Sequence, residues 1–92
     1  MSTKKPYNRF EIMNTYSAVK NRILELCEER HMSLHKLSIN SGVSSSTIKN
    51  IIYGKSQNPG IVTIKMLCDG LNIDLIEFFD TKEFKELEQE LK

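Results

Sequence analysis

A chain of 92 residues has room for one modest hydrophobic core and no second one. With 39% hydrophobic and 27% charged residues it is not a disordered chain. No apolar run is long enough to span a bilayer, and no apolar stretch follows the lysines of residues 1–10, so the expected location is cytoplasmic, with no membrane partner and no secretory signal. The net charge of +1 does not itself point to a polyanionic partner, but its distribution does. Residues 1–73 carry ten Lys/Arg against five acids, residues 74–92 three against seven, and no acid occurs between Glu29 and Asp69. That acid-free stretch contains Lys36, Lys49, Lys55 and Lys65 and leaves a surface that does not repel phosphate.

In chain order, residues 1–14 have no sustained period and contain Pro6. They form an N-terminal arm whose Tyr7, Phe10, Ile12 and Met13 are available for packing. Thr15 is the expected cap of a first helix, because Tyr16, Val19, Ile23, Leu26, Cys27 and Arg30 then recur at spacings of three and four. Ser33 caps a short second helix with Leu34, Leu37 and Ser41 on one face. Gly42 ends it, since glycine takes the left-handed conformation at low steric cost. Ser44 opens a third helix, lined inside by Ile48, Ile51 and Ile52 and closed by Gly54. Pro59-Gly60 starts a fourth, carrying Ile61, Ile64, Leu67, Cys68 and Leu71 and stopping near Asn72; Asp74 caps a short fifth with Leu75, Phe78 and Phe79. No β alternation persists, so the chain reads as all-α, a compact five-helix domain over residues 15–80. Residues 81–92 form a charged amphipathic segment in which Phe84, Leu87 and Leu91 share a helical stripe and Glu88 faces Lys92. This segment is open to two readings, an extra helix lying back on the domain or a short coiled-coil contact between two copies.

Cys27 and Cys68 are 41 positions apart, lie in apolar periodic stretches and have no ligand spacing, so they read as core residues. The informative region is 33–54: a two-turn helix, a tight turn at Gly42-Val43, and a second helix of nearly three turns. Leu37, Val43, Ile48 and Ile51 can all point inward if the helices cross steeply, with small Ser38 allowing a close approach at the turn. Ser44, Ser45, Ser46, Thr47, Lys49, Asn50 and Tyr53 then face outward. A plain solvated helix would favour Glu and Lys over three consecutive serines, which are poorer helix formers. Side chains that bond phosphates and base edges account for that cost, since Asn pairs bidentately with adenine and Ser or Thr serves several bases. For Ser44 taken alone, capping is sufficient reason.

Leu37-Ser38, Ser41-Gly42-Val43-Ser44, Ser46-Thr47-Ile48, Gly54-Lys55, Asn58-Pro59, Ile64, Leu67-Cys68, Leu71-Asn72-Ile73 and Phe78-Phe79, in that order and spacing, resemble the Cro/repressor-type, XRE-like helix-turn-helix family, which includes the repressors of lambdoid phages. The resemblance spans about Val19 to Phe79. It implies a lambda-repressor-like fold and a transcriptional regulator, a repressor first of all, working as a homodimer on a palindromic site in double-stranded DNA. Carried over by position, the base-reading sites fall on Ser45, Ser46, Lys49 and Asn50. The DNA-backbone sites fall on Ser33, Ser44, Thr47, Lys55 and Asn58. Two positions depart from the family pattern: Leu34 stands where many members have a glutamine that touches phosphate, and Ile52 where many have an acid.

An enzyme is the first rival. His31 and His35 have the spacing of a metal pair, but the break at Met32-Ser33 separates them and no acidic partner completes a metal motif; no catalytic group, metal or cofactor is expected. The second rival is a protein-binding regulator on the same fold, such as an antitoxin or accessory subunit, with Leu34, Ile52 and Tyr53 touching a regulatory protein partner and DNA binding weak.

Overall fold

Six helices account for most of the described residues, 14–91, in the computed structural model: α1 (Thr15–Glu29), α2 (Leu34–Ser41), α3 (Ser45–Ile52), α4 (Ile61–Leu71), α5 (Leu75–Phe79) and α6 (Lys82–Lys85). Among the described residues there is no strand. The packing expected of Tyr7, Phe10, Ile12 and Met13, and the pairing of Glu88 with Lys92, lie outside the described residues.

The caps follow the sequence with one exception. Ser33, Ser44 and Asp74 each sit in extended backbone and accept a bond from the amide three residues on, as expected. At α1 the cap is Asn14, whose Oδ1 accepts from the Ser17 amide at 2.8 Å, so Thr15 is the first helical residue and not the cap. Gly42 (φ 77°) and Asn72 (φ 63°) end α2 and α4 in the left-handed conformation, and His31 (φ 50°) takes it in the turn between α1 and α2. His31 and His35 therefore do not share a helix, and the described residues contain no cluster of potential metal ligands.

The core is one cluster drawn from α1 to α5, with Ile23, Leu37, Ile48, Ile51, Leu67, Cys68, Leu71 and Phe78 at its centre. Each large side chain so buried contributes on the order of 1.5–3 kcal/mol. Both thiols are buried and free, and desolvation pushes each above the ordinary thiol value, so they act as small apolar groups. Helix α2 lies closely on α4 because Gly70 faces Ser41: a β-carbon at 70 would come within 2.8 Å of the Ser41 side chain and 2.9 Å of its backbone.

Two side chains of α1, Tyr16 and Arg22, and that of its C-cap residue Arg30 close other helices from outside. Arg22 donates through Nε to the Phe78 carbonyl (2.7 Å) and through Nη2 to that of Glu77 (2.8 Å), while Arg30 Nε donates to the Leu71 carbonyl at 3.1 Å. These carbonyls belong to the last turns of α5 and α4, where the helix dipole favours a cation; that of Glu77 also accepts from the Asp80 amide at 3.3 Å. Tyr16 does the same for α3, its hydroxyl donating to the Ile51 carbonyl at 2.5 Å.

The helix expected from the stripe of residues 81–92 stops after about one turn. Phe84 of α6 packs edge-on to Phe79 at 4.9 Å and tilted against Phe78 at 6.1 Å, so the chain does lie back on the domain there. Beyond Lys85 no helix continues and Leu91 is exposed, which removes the helical seam that a coiled-coil contact requires.

Candidate nucleic-acid interface

A helix can be read from outside only if its other side is held firmly, and α3 meets that condition. Ile48 and Ile51 are buried, while Ser46, Thr47, Lys49, Asn50 and Tyr53 are exposed and Ser45 is half-buried. The turn before it is locked: Ser38 Oγ donates to the Val43 carbonyl at 2.6 Å, the Val43 amide donates to Ser41 Oγ at 3.1 Å, and the Val43 side chain is buried. Ser38 therefore does more than leave room at the turn. Its hydroxyl ties α2 directly to the entry of α3.

At the front of α3, Ser44 Oγ accepts from the Thr47 amide (3.1 Å) and donates to Thr47 Oγ1 (2.9 Å). Ser44 is a cap, and the bond it makes leaves the Thr47 hydroxyl proton pointing to a different acceptor. Ser33 is built alike at α2: its Oγ accepts from the Lys36 amide at 3.0 Å and keeps its own proton to donate. Behind α3, the Ser56 amide donates to the Asn50 carbonyl at 2.9 Å and Gln57 Nε2 to the Gly54 carbonyl at 3.0 Å. These bonds hold the loop that exposes Lys55 and Asn58.

The cations divide in two. Arg22, Arg30, Lys65, Lys82 and Lys85 each pair with a carboxylate, whereas among the described residues Lys36, Lys49 and Lys55 pair with none. Those three lie in the stretch around the α2–α3 unit; Lys20 of α1, also without a carboxylate, stands over the Tyr16 ring at 6.0 Å instead. Of the nine residues expected to touch DNA eight are exposed and Ser45 is half-buried, and they fall on three segments: the α2 cap (Ser33), the face and start of α3 (Ser44, Ser45, Ser46, Thr47, Lys49, Asn50), and the loop after it (Lys55, Asn58).

Residues 22–83 match the family of Cro/C1-type HTH DNA-binding domains. The chain belongs to that family. The Cro/C1-type domain is similar in structure to prophage Lp1 protein 11, at 28% identity and a TM-score of 0.71, over 82% of this chain and all of that one (100%). It is similar to an HTH_3 family transcriptional regulator from Vibrio cholerae at 28% identity and a TM-score of 0.67, over 74% of this chain but only 38% of that one. Its fold is also that of the restriction-modification controller protein C.Esp1396I, at 23% identity and a TM-score of 0.66 over 71% and 83% of the two chains. No curated protein matches it.

The two departures from the family pattern have a structural meaning in this Cro/C1-type domain. Leu34 and Ile52 are half-buried and pack against the core, so each exchanges a polar surface contact for apolar burial. Tyr53, 74% exposed, is left as the one freely accessible member of the set that a protein partner was expected to use. Several contributors escape a reading by pattern. Gly70 has a signal, because an interior helical glycine costs about 1 kcal/mol and calls for a packing reason. The roles of Arg22, Arg30 and Tyr16 depend on carbonyls far away in the chain and have none.

Proposed function

We propose that this DNA-binding domain makes the protein a sequence-specific transcriptional regulator, acting as a repressor, with α3 placed in the major groove of double-stranded DNA. The observation that carries the reading is the division of α3: isoleucines held in the core on one side, and Ser46, Thr47, Lys49 and Asn50 exposed on the other. A groove about 12 Å wide admits such a helix. In this reading Ser45, Ser46, Lys49 and Asn50 meet base edges. Ser33, Ser44, Thr47, Lys55 and Asn58 hold phosphates and set register, Ser33 and Thr47 through hydroxyl protons that their intramolecular bonds leave available. With serines at the front of the helix, much of the readout runs through bridging water. Repression follows from occupancy, since a domain seated on a promoter excludes other proteins without further contacts. The site of action is the cytoplasm.

The reading extends to a homodimer on a palindromic site, with half-sites about 34–36 Å apart. An exposed, mainly apolar patch supports it: Ile61, Leu75, Ile76 and Phe79, together with Asp80, surround one shallow depression in which Ile76 is 80% exposed. Charging that patch with Ile76→Asp is expected to give a monomer in analytical ultracentrifugation without lowering thermal stability. A dimer that survives the substitution places the interface elsewhere.

Selection of bound sequences from a random duplex pool, followed by a footprint, tests the whole reading. The expected result is a symmetric motif with a one-turn repeat. Asn50→Ala should relax the preference at one base pair, whereas Lys55→Ala should weaken binding to every sequence alike and reduce the salt slope by about one. Binding that ignores both substitutions would show that α3 and its loop are not the docking face.

A further inference from the structure

The C-terminal acidic segment is largely exposed but is tied to the domain at two points. Phe84 is anchored on Phe78 and Phe79, and from there the chain returns to the start of α1, where Glu90 Oε2 accepts from Thr15 Oγ1 at 2.7 Å. Residues 86–91 read Glu-Leu-Glu-Gln-Glu-Leu, three acids and no base. Glu90 and Asn58 line the same cleft of about 500 Å³, whose walls also include Thr15, Tyr16, Gln57 and Pro59. The carboxylate therefore sits at the first turn of a fifteen-residue helix, where the dipole favours a negative charge, and beside the loop that presents Lys55 and Asn58.

We propose that residues 86–91 form a docked anionic strap that competes with DNA phosphate for the Lys55–Asn58 edge of the interface. The proposal rests on the DNA-binding reading given above. With the strap seated, the Glu90 carboxylate stands in the cleft beside Asn58 and repels a phosphate approaching that edge, without pairing with Lys55. Tight binding then requires the strap to swing away, hinged after Phe84. The bonds that hold it are exposed and therefore weak, which suits an element that must be displaced. The strap lowers affinity for all duplexes by the same factor. Random DNA, held by phosphate contacts alone, falls below useful binding first, while an operator that adds base contacts stays above it.

The test compares the full chain with Thr15→Val and Glu90→Ala on a short duplex of random sequence, across a range of salt. Thr15→Val is the decisive variant because it removes the strap's hydrogen bond with no change of charge. Both variants are expected to bind about threefold to tenfold more tightly at low salt, as befits loss of one exposed charged contact, and to converge on the unaltered chain at high salt. In the unaltered chain, amide NMR signals of residues 86–91 should move towards unstructured positions when the duplex is added, while those of Phe84 stay. If the unaltered chain binds and Thr15→Val binds no better, the strap proposal is overturned and the DNA-binding reading stands; tighter binding by Glu90→Ala alone reports only general charge and overturns it too. If no form binds any duplex, the DNA-binding reading fails and the strap falls with it.

Discussion

The contact of α2 with α4 and the outer face of α3 are built from the same small polar vocabulary and put it to opposite uses. Inside, Ser38 and Ser41 have hydroxyls bonded to the turn they enclose, and Ser41 lies against Gly70 too closely for any side chain there. Outside, Ser46 and Asn50 are exposed, and their side chains make no hydrogen bond within the described residues. Serine in this domain is thus a structural tie where its hydroxyl bonds the backbone of the turn, and an exposed, uncommitted hydrogen-bonding group where it does not. The difference lies in what surrounds the residue, not in its type.

That contrast predicts a clean separation of effects: inward substitutions should change stability and leave DNA preference alone, and outward ones the reverse. The largest effect is expected for Phe78→Ala, which removes a wholly buried ring together with its contacts to Phe79 and Phe84. The cost should be about 3–5 kcal/mol in urea unfolding, a large part of a small domain's stability. Next comes Asn50→Ala, expected to lose about 1–3 kcal/mol of discrimination between operator and mismatched DNA while its urea midpoint stays within about 0.5 kcal/mol of the unaltered chain. A substantial loss of stability there would mean that Asn50 is a packing residue and would erase the contrast. Gly70→Ala should destabilise by about 1–2 kcal/mol, because overpacking against the Ser41 backbone outweighs the roughly 1 kcal/mol that alanine gains in a helix. A rise in melting temperature would show that the α2–α4 contact can open.

The smallest effect concerns the two thiols. Burial raises both, so the folded state holds its protons to higher pH than the unfolded chain, whose thiols ionise near about 8.5. Between those two values the unfolded state binds fewer protons, and linkage makes stability fall as pH rises through that window, with full stability below it. Urea midpoints should therefore be flat from neutral pH to about 8 and decline above it. The decline should shrink when Cys27 and Cys68 are replaced by Ala, measured relative to those variants' own neutral-pH stability.

Much of this molecule is local and hence legible in one dimension. Apolar residues at spacings of three and four, Ser33, Ser44 and Asp74 before helices, and Gly42 and Asn72 after them set the five main helices to within a residue or so, because capping and amphipathicity act between neighbours in the chain. The outward set on α3 was legible for the same reason. Thr15 is not the cap that the sequence suggests, because asparagine and threonine both cap well and only backbone geometry decides which of two adjacent candidates is extended. The tertiary structure alone decided the rest: that Arg22, Arg30 and Tyr16 close the ends of three other helices, that Gly70 exists for Ser41, and that the tail stops being helical after Lys85 and returns to Thr15. Each joins residues 29 to 75 positions apart, and at such separations a side chain's partner is set by how whole helices pack, which no local pattern encodes.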